Sequence, residues 1–278
     1  MLEINISFLS GCGETLSVPE LSKVGDLKLL AKRAFGQGFL KLVTAKGHVL
    51  TNPEDSLQDS GVQDGEHLTA VAQQVKIAAS FRAFALWCSG GNQVVAWGNP
   101  DFGGDCSAVK DQLRDVQQIQ ATHLAFAAIL ADGSVVSWGN AYYGGDCSAV
   151  QDQLRNVQQI QATSGAFAAI LADGSVVSWG DPDCGGDCSA VQDQLRNVQQ
   201  IQATSGAFAA VLADGSVVAW GKADRGGGIV VNEPRNVQQI EATMGAFAVS
   251  SADGSVVTWG DPDHGGDCSE VQDQLQYL

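Results

Sequence analysis

The stretch AFAAILADGSVVSWG, residues 125–139, returns almost letter for letter at 166–180 and 207–221, with looser copies at 83–98 and 246–260. Five tryptophans mark the period: Trp97, Trp138, Trp179, Trp220 and Trp259, spaced 41, 41, 41 and 39 residues apart. A fixed period of this length means one supersecondary unit copied in tandem. Such a unit cannot bury its apolar face alone and must stack on its neighbours. The repeat therefore predicts an architecture of stacked units over residues 75–278, divided at about 75–115, 116–156, 157–197, 198–236 and 237–278. It also favours a binding surface over a catalytic centre.

The most regular unit shows what is copied. Val157–Thr163 reads as a short strand and Ala166–Leu171 as a second. Asp173-Gly174 between apolar runs is a hairpin signal, because glycine accepts a positive φ. Ser175–Gly180 reads as a third strand. The Gly185-Gly186 pair then breaks the strand. Asp187 or Ser189 is placed to cap a short helical turn, with Gln192 spaced from Ser189 as in a capping box. Three antiparallel strands and a helical turn per unit are the ingredients of a β-propeller blade. Phe126, Phe167, Phe208, Phe247 and the repeat tryptophans read as core.

Residues 1–74 do not repeat. Leu2, Ile4, Ile6 and Phe8 alternate with polar neighbours, the period of a half-buried strand. A glycine-containing turn at Ser10–Glu14 leads to a second strand at Thr15–Val18. Val24, Leu27, Leu30, Ala31 and Ala34 recur at helical spacing. Strands follow over Phe39–Thr44 and, after Asp64, up to Ala72. This order is that of an α+β β-grasp domain.

MLEINISFLSG, FLKLVTAKGHVL and SLQDSGVQDGEHLTAV resemble the opening strand, the third strand and the approach to the last strand of ubiquitin-like domains. Unlike ubiquitin, the chain runs through Gln73 and Gln74 into the repeats with no Gly-Gly tail, which implies a built-in module and not a conjugated modifier. The resemblance aligns Leu9, Val43 and Val71 with ubiquitin's apolar docking patch and so implies a docking face. The same residues also suit an ordinary half-buried sheet.

In the repeats, Asp132, Gly133, Val135, Trp138, Gly139 and their copies resemble the hallmark of the regulator of chromosome condensation superfamily. Within it, the bacterial β-lactamase inhibitor protein type II is similar in unit length. The fourth copy departs in Gly221–Asn236, and the first in Trp87–Gln93. Propellers of that superfamily usually close with more blades than the five units counted here. The expectation is a propeller-like array, either a closed five-blade ring or an open arc with unpaired edges at Val75–Ala79 and the outer side of the last unit.

Chemistry is sparse. The four histidines, His48, His67, His123 and His264, do not recur with the repeat, and none forms a metal pair. His264 reads as a solvated loop residue. Cys184 and Cys188 have the wrong spacing for a zinc knuckle. Asp181, Asp183 and Asp187, with Asp261, Asp263 and Asp267, are dense enough for calcium, but turn and cap roles explain them more simply. No phosphate loop, catalytic triad or carboxylate pair stands out. The expectation is no enzyme, no cofactor and no bound metal.

The net charge of −16 disfavours nucleic acid as a partner. No run approaches the length of a membrane span, and no secretory signal is seen. An odd count of seven cysteines, four of them at equivalent repeat positions, suits a reducing intracellular compartment. The functional expectation is a non-catalytic protein-interaction scaffold or assembly subunit. Alternatives are an adaptor in the ubiquitin pathway and a propeller-type enzyme inhibitor. Candidate docking residues are Leu9, Val43 and Val71 in the first domain and Phe102, Tyr142, Tyr143 and Arg225 in the repeat loops, with self-association through open strand edges as a further expectation.

Overall fold

In a computed structural model of the protein, residues 1–88, 93–228, 230, 234–271 and 274 are described. Contacts divide the chain into two compact units, Met1–Lys76 and Ile77–Leu278.

The first unit is a β-grasp. Strands β1 (Leu2–Phe8), β2 (Gly13–Val18), β3 (Leu40–Thr44) and β4 (His67–Ala72) form one sheet in the order β2-β1-β4-β3, and helix α1 (Val24–Phe35) packs on it. The pair β1 and β4 is parallel; the others are antiparallel. Ile4, Ile6, Leu42, Leu68 and Ala70 face Val24, Leu27 and Ala31 of the helix in a closed core. The third strand begins at Leu40, one residue later than its sequence pattern predicts. The helix stops because Gly36 takes a left-handed conformation, φ 62°, and returns its N–H to the Lys32 carbonyl.

The second unit is five three-stranded antiparallel sheets. They are β5 to β7 (Val75–Ala79, Ala83–Cys88, Val94–Gly98), β8 to β10 (Val116–Ala121, Ala125–Leu130, Val135–Gly139), and β11 to β13 (Val157–Ala162, Ala166–Leu171, Val176–Gly180). The last two are β14 to β16 (Val198–Ala203, Ala207–Leu212, Val217–Gly221) and β17 to β19 (Val237–Ala242, Ala246–Ser251, Val256–Gly260). In every sheet the strands lie in chain order with the middle strand central. The last four copies share a register shift in the first strand, as between Val157 and Gln159. The sheets are stacked in sequence as an open, propeller-like arc that does not close on itself.

Each joint between sheets is the same. The middle strand sends alternate side chains to opposite faces. From β9, Ala125, Ala127 and Ile129 point forward to the third sheet, where they meet Phe167, Ala169, Val177 and Trp179. The same pattern joins the first sheet to the second, the third to the fourth, and the fourth to the fifth. Phe167 and Trp179 stack at 5.2 Å, and every later copy repeats the pair.

The aromatic pair is seated by a glycine. Trp179 donates its indole N–H to the Gly144 carbonyl at 3.0 Å, while Gly144, at φ 90°, leaves space that Phe167 fills. A Cβ on Gly144 would come within 2.6 Å of the Phe167 ring. Trp138, Trp220 and Trp259 do the same on Gly103, Gly185 and Gly226. A backbone chain also runs along the arc: the N–H of Phe81 reaches the His123 carbonyl, His123 reaches Ser164, Ser164 reaches Ser205, and Ser205 reaches Met244.

Two sequence expectations need correction here. The capping box at Ser189 is not made. Asp187 Oδ1 accepts the Ser189 N–H, and Gln192 instead donates from Nε2 to the Val176 carbonyl and accepts the Cys188 thiol. Trp97 is not core. It is 44 % exposed, whereas Trp138 is 4 % and Trp259 5 % exposed, because no earlier repeat packs against the first one.

Candidate functional site

On the β-grasp sheet, inward Leu40, Leu42 and Thr44 alternate with outward Lys41 and Val43. On β4, Leu68 and Ala70 point inward and Thr69 and Val71 outward. Val43 pairs with Thr69 and Lys41 with Val71, so Val43 and Val71 share the sheet face away from the helix. Ser7 pairs with Thr69 on that face and its hydroxyl lies 2.9 Å from His67 Nε2. Leu9 stands in the turn after β1 and is 90 % exposed. Val71 is partly exposed and Val43 half-buried. An apolar side chain left in water at the tip of a strand gains nothing for this fold.

The repeat candidates sit in short 3-10 turns that follow the third strand of each sheet, at Pro100–Phe102, Ala141–Tyr143 and Ala223–Arg225. The side chains of Asn99 and Asn140 start two of these turns by accepting the N–H two residues on. Phe102 and Tyr143 turn inward and pack on the joints of their sheets. Arg225 reaches forward to Asp261, Nη1 to Oδ2 at 3.2 Å, and ties the fourth unit to the fifth. Tyr142 stays exposed, and its hydroxyl donates to Asp181 Oδ1 at 2.9 Å. That hydrogen bond to a carboxylate raises the phenol's pKa above the ordinary tyrosine value.

The acidic loops are internally engaged. Asp181 and Asp261 each accept the N–H of the residue two positions on, and Asp187 and Asp267 do the same for Ser189 and Ser269. The N–H of Asp263 holds the Asp261 carboxyl below the ordinary range, helped by His264 and Arg225. His264 is not simply solvated, since its Nδ1 lies 2.9 Å from Asp261 Oδ2. Cys184 Sγ faces Asp181 at 3.5 Å, and burial pushes its thiol pKa up. Among the described residues no cluster of three or more His, Cys, Asp or Glu is placed to hold a metal ion, and no helix is long and apolar enough to cross a membrane.

A further surface escapes sequence reasoning. Phe84 and Trp97 of the first sheet stack at 5.5 Å like the other pairs, yet Phe84 is 46 % exposed where Phe126 is fully buried. Val95 and Ile77 beside them are exposed too. The available signal was position in the chain: the first copy has no earlier repeat to cover that face.

No protein-family model matches the chain, and no curated protein matches it. Solved structures do. Human WBSCR16 is 16 % identical, with 79 % of this chain and 67 % of that one covered at a TM-score of 0.48. Prp20p from Saccharomyces cerevisiae is 15 % identical, with 88 % of this chain and 71 % of that one covered at 0.45. A solution structure of an N-terminal ubiquitin-like domain is 19 % identical over 26 % of this chain and 75 % of that one, at 0.24. All three scores lie below 0.5.

Proposed function

We propose that the protein is a non-catalytic interaction scaffold in which a built-in ubiquitin-like module docks one protein and the repeat arc presents a second surface. The observation that carries this reading is the apolar set of the β-grasp unit that the core leaves unused, Val43 and Val71 outward on the sheet and Leu9 in the turn after β1. Tyr142 is the repeat-loop candidate that remains exposed, and it belongs to the second surface. Phe102, Tyr143 and Arg225 support that surface from the joints beneath it. The division into modules at about residue 74, and kinship of the repeats with the type II inhibitor branch, belong to this same proposal.

The partner of the module is a ubiquitin-receptor type of domain, which makes the protein an adaptor in that pathway. All seven cysteines are free thiols, which supports a reducing compartment inside the cell. Titration of the full chain with isolated ubiquitin-receptor domains tests the reading. Binding that disappears in Val43→Glu and persists in Tyr142→Ala is the expected result. No binding by the unaltered chain overturns it.

A further inference from the structure

The two ends of the arc carry opposite halves of one joint. The leading face shows Ile77, Phe84, Val95 and Trp97, which correspond to Ile119, Phe126, Val136 and Trp138 of the second sheet. Those four are buried by the sheet before them, and their first-sheet counterparts are exposed. Trp97 has the indole N–H that every later tryptophan donates to a glycine carbonyl, and among the described residues it has no acceptor.

The trailing face shows the other half. Ala246, Ala248, Ser250 and Val256 occupy the forward positions that Ala166, Ala168, Ile170 and Val176 fill in the third sheet. Gly265 matches Gly226, Gly185 and Gly144 in conformation, at φ 92°. Where a Cβ on those three would strike the next phenylalanine ring, a Cβ on Gly265 meets nothing within 4 Å among the described residues. The seat is built, and among the described residues no ring sits in it.

The backbone chain along the arc ends in the same way. Met244 accepts from Ser205 but its own N–H has no partner among the described residues. Phe81 donates to His123, but among the described residues its carbonyl receives nothing. Both side chains are exposed. At each internal joint the earlier unit supplies the N–H and the later unit the carbonyl, whereas the indole bond runs the other way. The free groups at the two ends have the senses needed to make both bonds at once.

We propose that the trailing face of one molecule receives the leading face of a second copy, with Phe84 over Gly265, Trp97 donating to the Gly265 carbonyl and Met244 donating to the Phe81 carbonyl. The interface repeats a joint this chain already makes four times. It is heterologous, so it propagates into a closed ring or an open string of molecules and does not stop at a symmetric pair. Ser250, in place of an aliphatic residue, makes the intermolecular joint weaker than the internal ones and so dependent on concentration. None of Leu9, Val43, Val71 or Tyr142 takes part, so this joint and the proposed docking of a partner stand or fall separately.

The test is light scattering of the full chain over a dilution series, with Trp97→Glu blocking the leading face and Ser250→Lys blocking the trailing face. The expected result is mass that rises with concentration for the unaltered chain, a monomer for each variant alone, and a one-to-one pair and nothing larger when the two variants are mixed. Near-UV circular dichroism identifies a variant that fails to fold, and Phe84→Ser with Val256→Lys form an independent pair. An unaltered chain that is monomeric throughout overturns the proposal. So does association of Ser250→Lys undiminished from the unaltered chain, which means two leading faces meet, or a variant mixture that stays monomeric.

Discussion

Trp179 holds Gly144 across a sheet boundary: its indole N–H meets the Gly144 carbonyl at 3.0 Å from 35 residues further along the chain. This bond ties covalently distant units into one stack. Removing the donor while keeping the ring isolates its value. Trp179→Phe leaves a buried carbonyl unpaired and lowers stability by about 1–3 kcal/mol in urea unfolding. Trp97→Phe, with no acceptor to lose among the described residues, stays within about 0.5 kcal/mol in dilute solution. Equal losses for the two would show that the bond contributes little.

Gly144→Ala and Gly265→Ala separate two costs. Both positions have positive φ, and alanine there loses about 1–2 kcal/mol from backbone strain alone. Only Gly144 adds a steric clash, with Phe167 at 2.6 Å, which brings about 1–3 kcal/mol more. Denaturant melts of the two variants at low concentration give the difference directly.

Phe208→Ala removes a fully buried ring at the joint of the third and fourth sheets. The expected loss is about 3–5 kcal/mol. In a stack where each unit touches only its neighbours, it also splits unfolding into two phases, readable by calorimetry. Phe84→Ala, at the open face, leaves a single transition.

Acid weakens the hairpin turns. Asp132, Asp173, Asp214 and Asp253 each accept bonds from the serine two residues on, first from its side chain and then from its backbone N–H, and these bonds hold the carboxyls below their ordinary range. A folded pKa lowered in this way means stability that is present above the ordinary carboxylate pKa and is lost as pH falls through the folded value. Asp173→Asn therefore lowers the melting temperature at neutral pH, and the gap from the unaltered chain narrows in acid. A gap that stays constant with pH would sink this assignment.

Thiol reactivity follows burial. Cys12 is exposed, while Cys147 and Cys188 lie inside the stack, and burial raises the Cys147 pKa. A maleimide at neutral pH labels Cys12 first and reaches Cys147 only as the arc opens, which peptide mass spectrometry resolves.

The repeat and the β-grasp were legible because both are written as side-chain periods. Ile4 and Ile6 alternate with polar residues, and Asp173-Gly174 announces its turn. The capping box at Ser189 misled because Gln192 has the right spacing for a local bond, while the fold spends it on the Val176 carbonyl and the Cys188 thiol. Tyr143 and Tyr142 are adjacent and chemically alike, yet one packs inward and the other stays in water. The exposure of Trp97 was the deepest omission. Its strand matches those of the buried tryptophans, and the difference lies entirely in what stands beside it.

The indoles of Trp138, Trp179, Trp220 and Trp259 all reach back to the repeat before their own, and none of the four reaches forward. The array therefore has a polarity, and no joint carries information about how many joints there are. Excising residues 157–197 would join Asn156 to Val198 and restore the same VQQIQA strand. Trp220 would then find Gly144 where it had found Gly185. The length of the arc is thus a count of copies, free to lengthen or shorten by whole units without redesign of any contact.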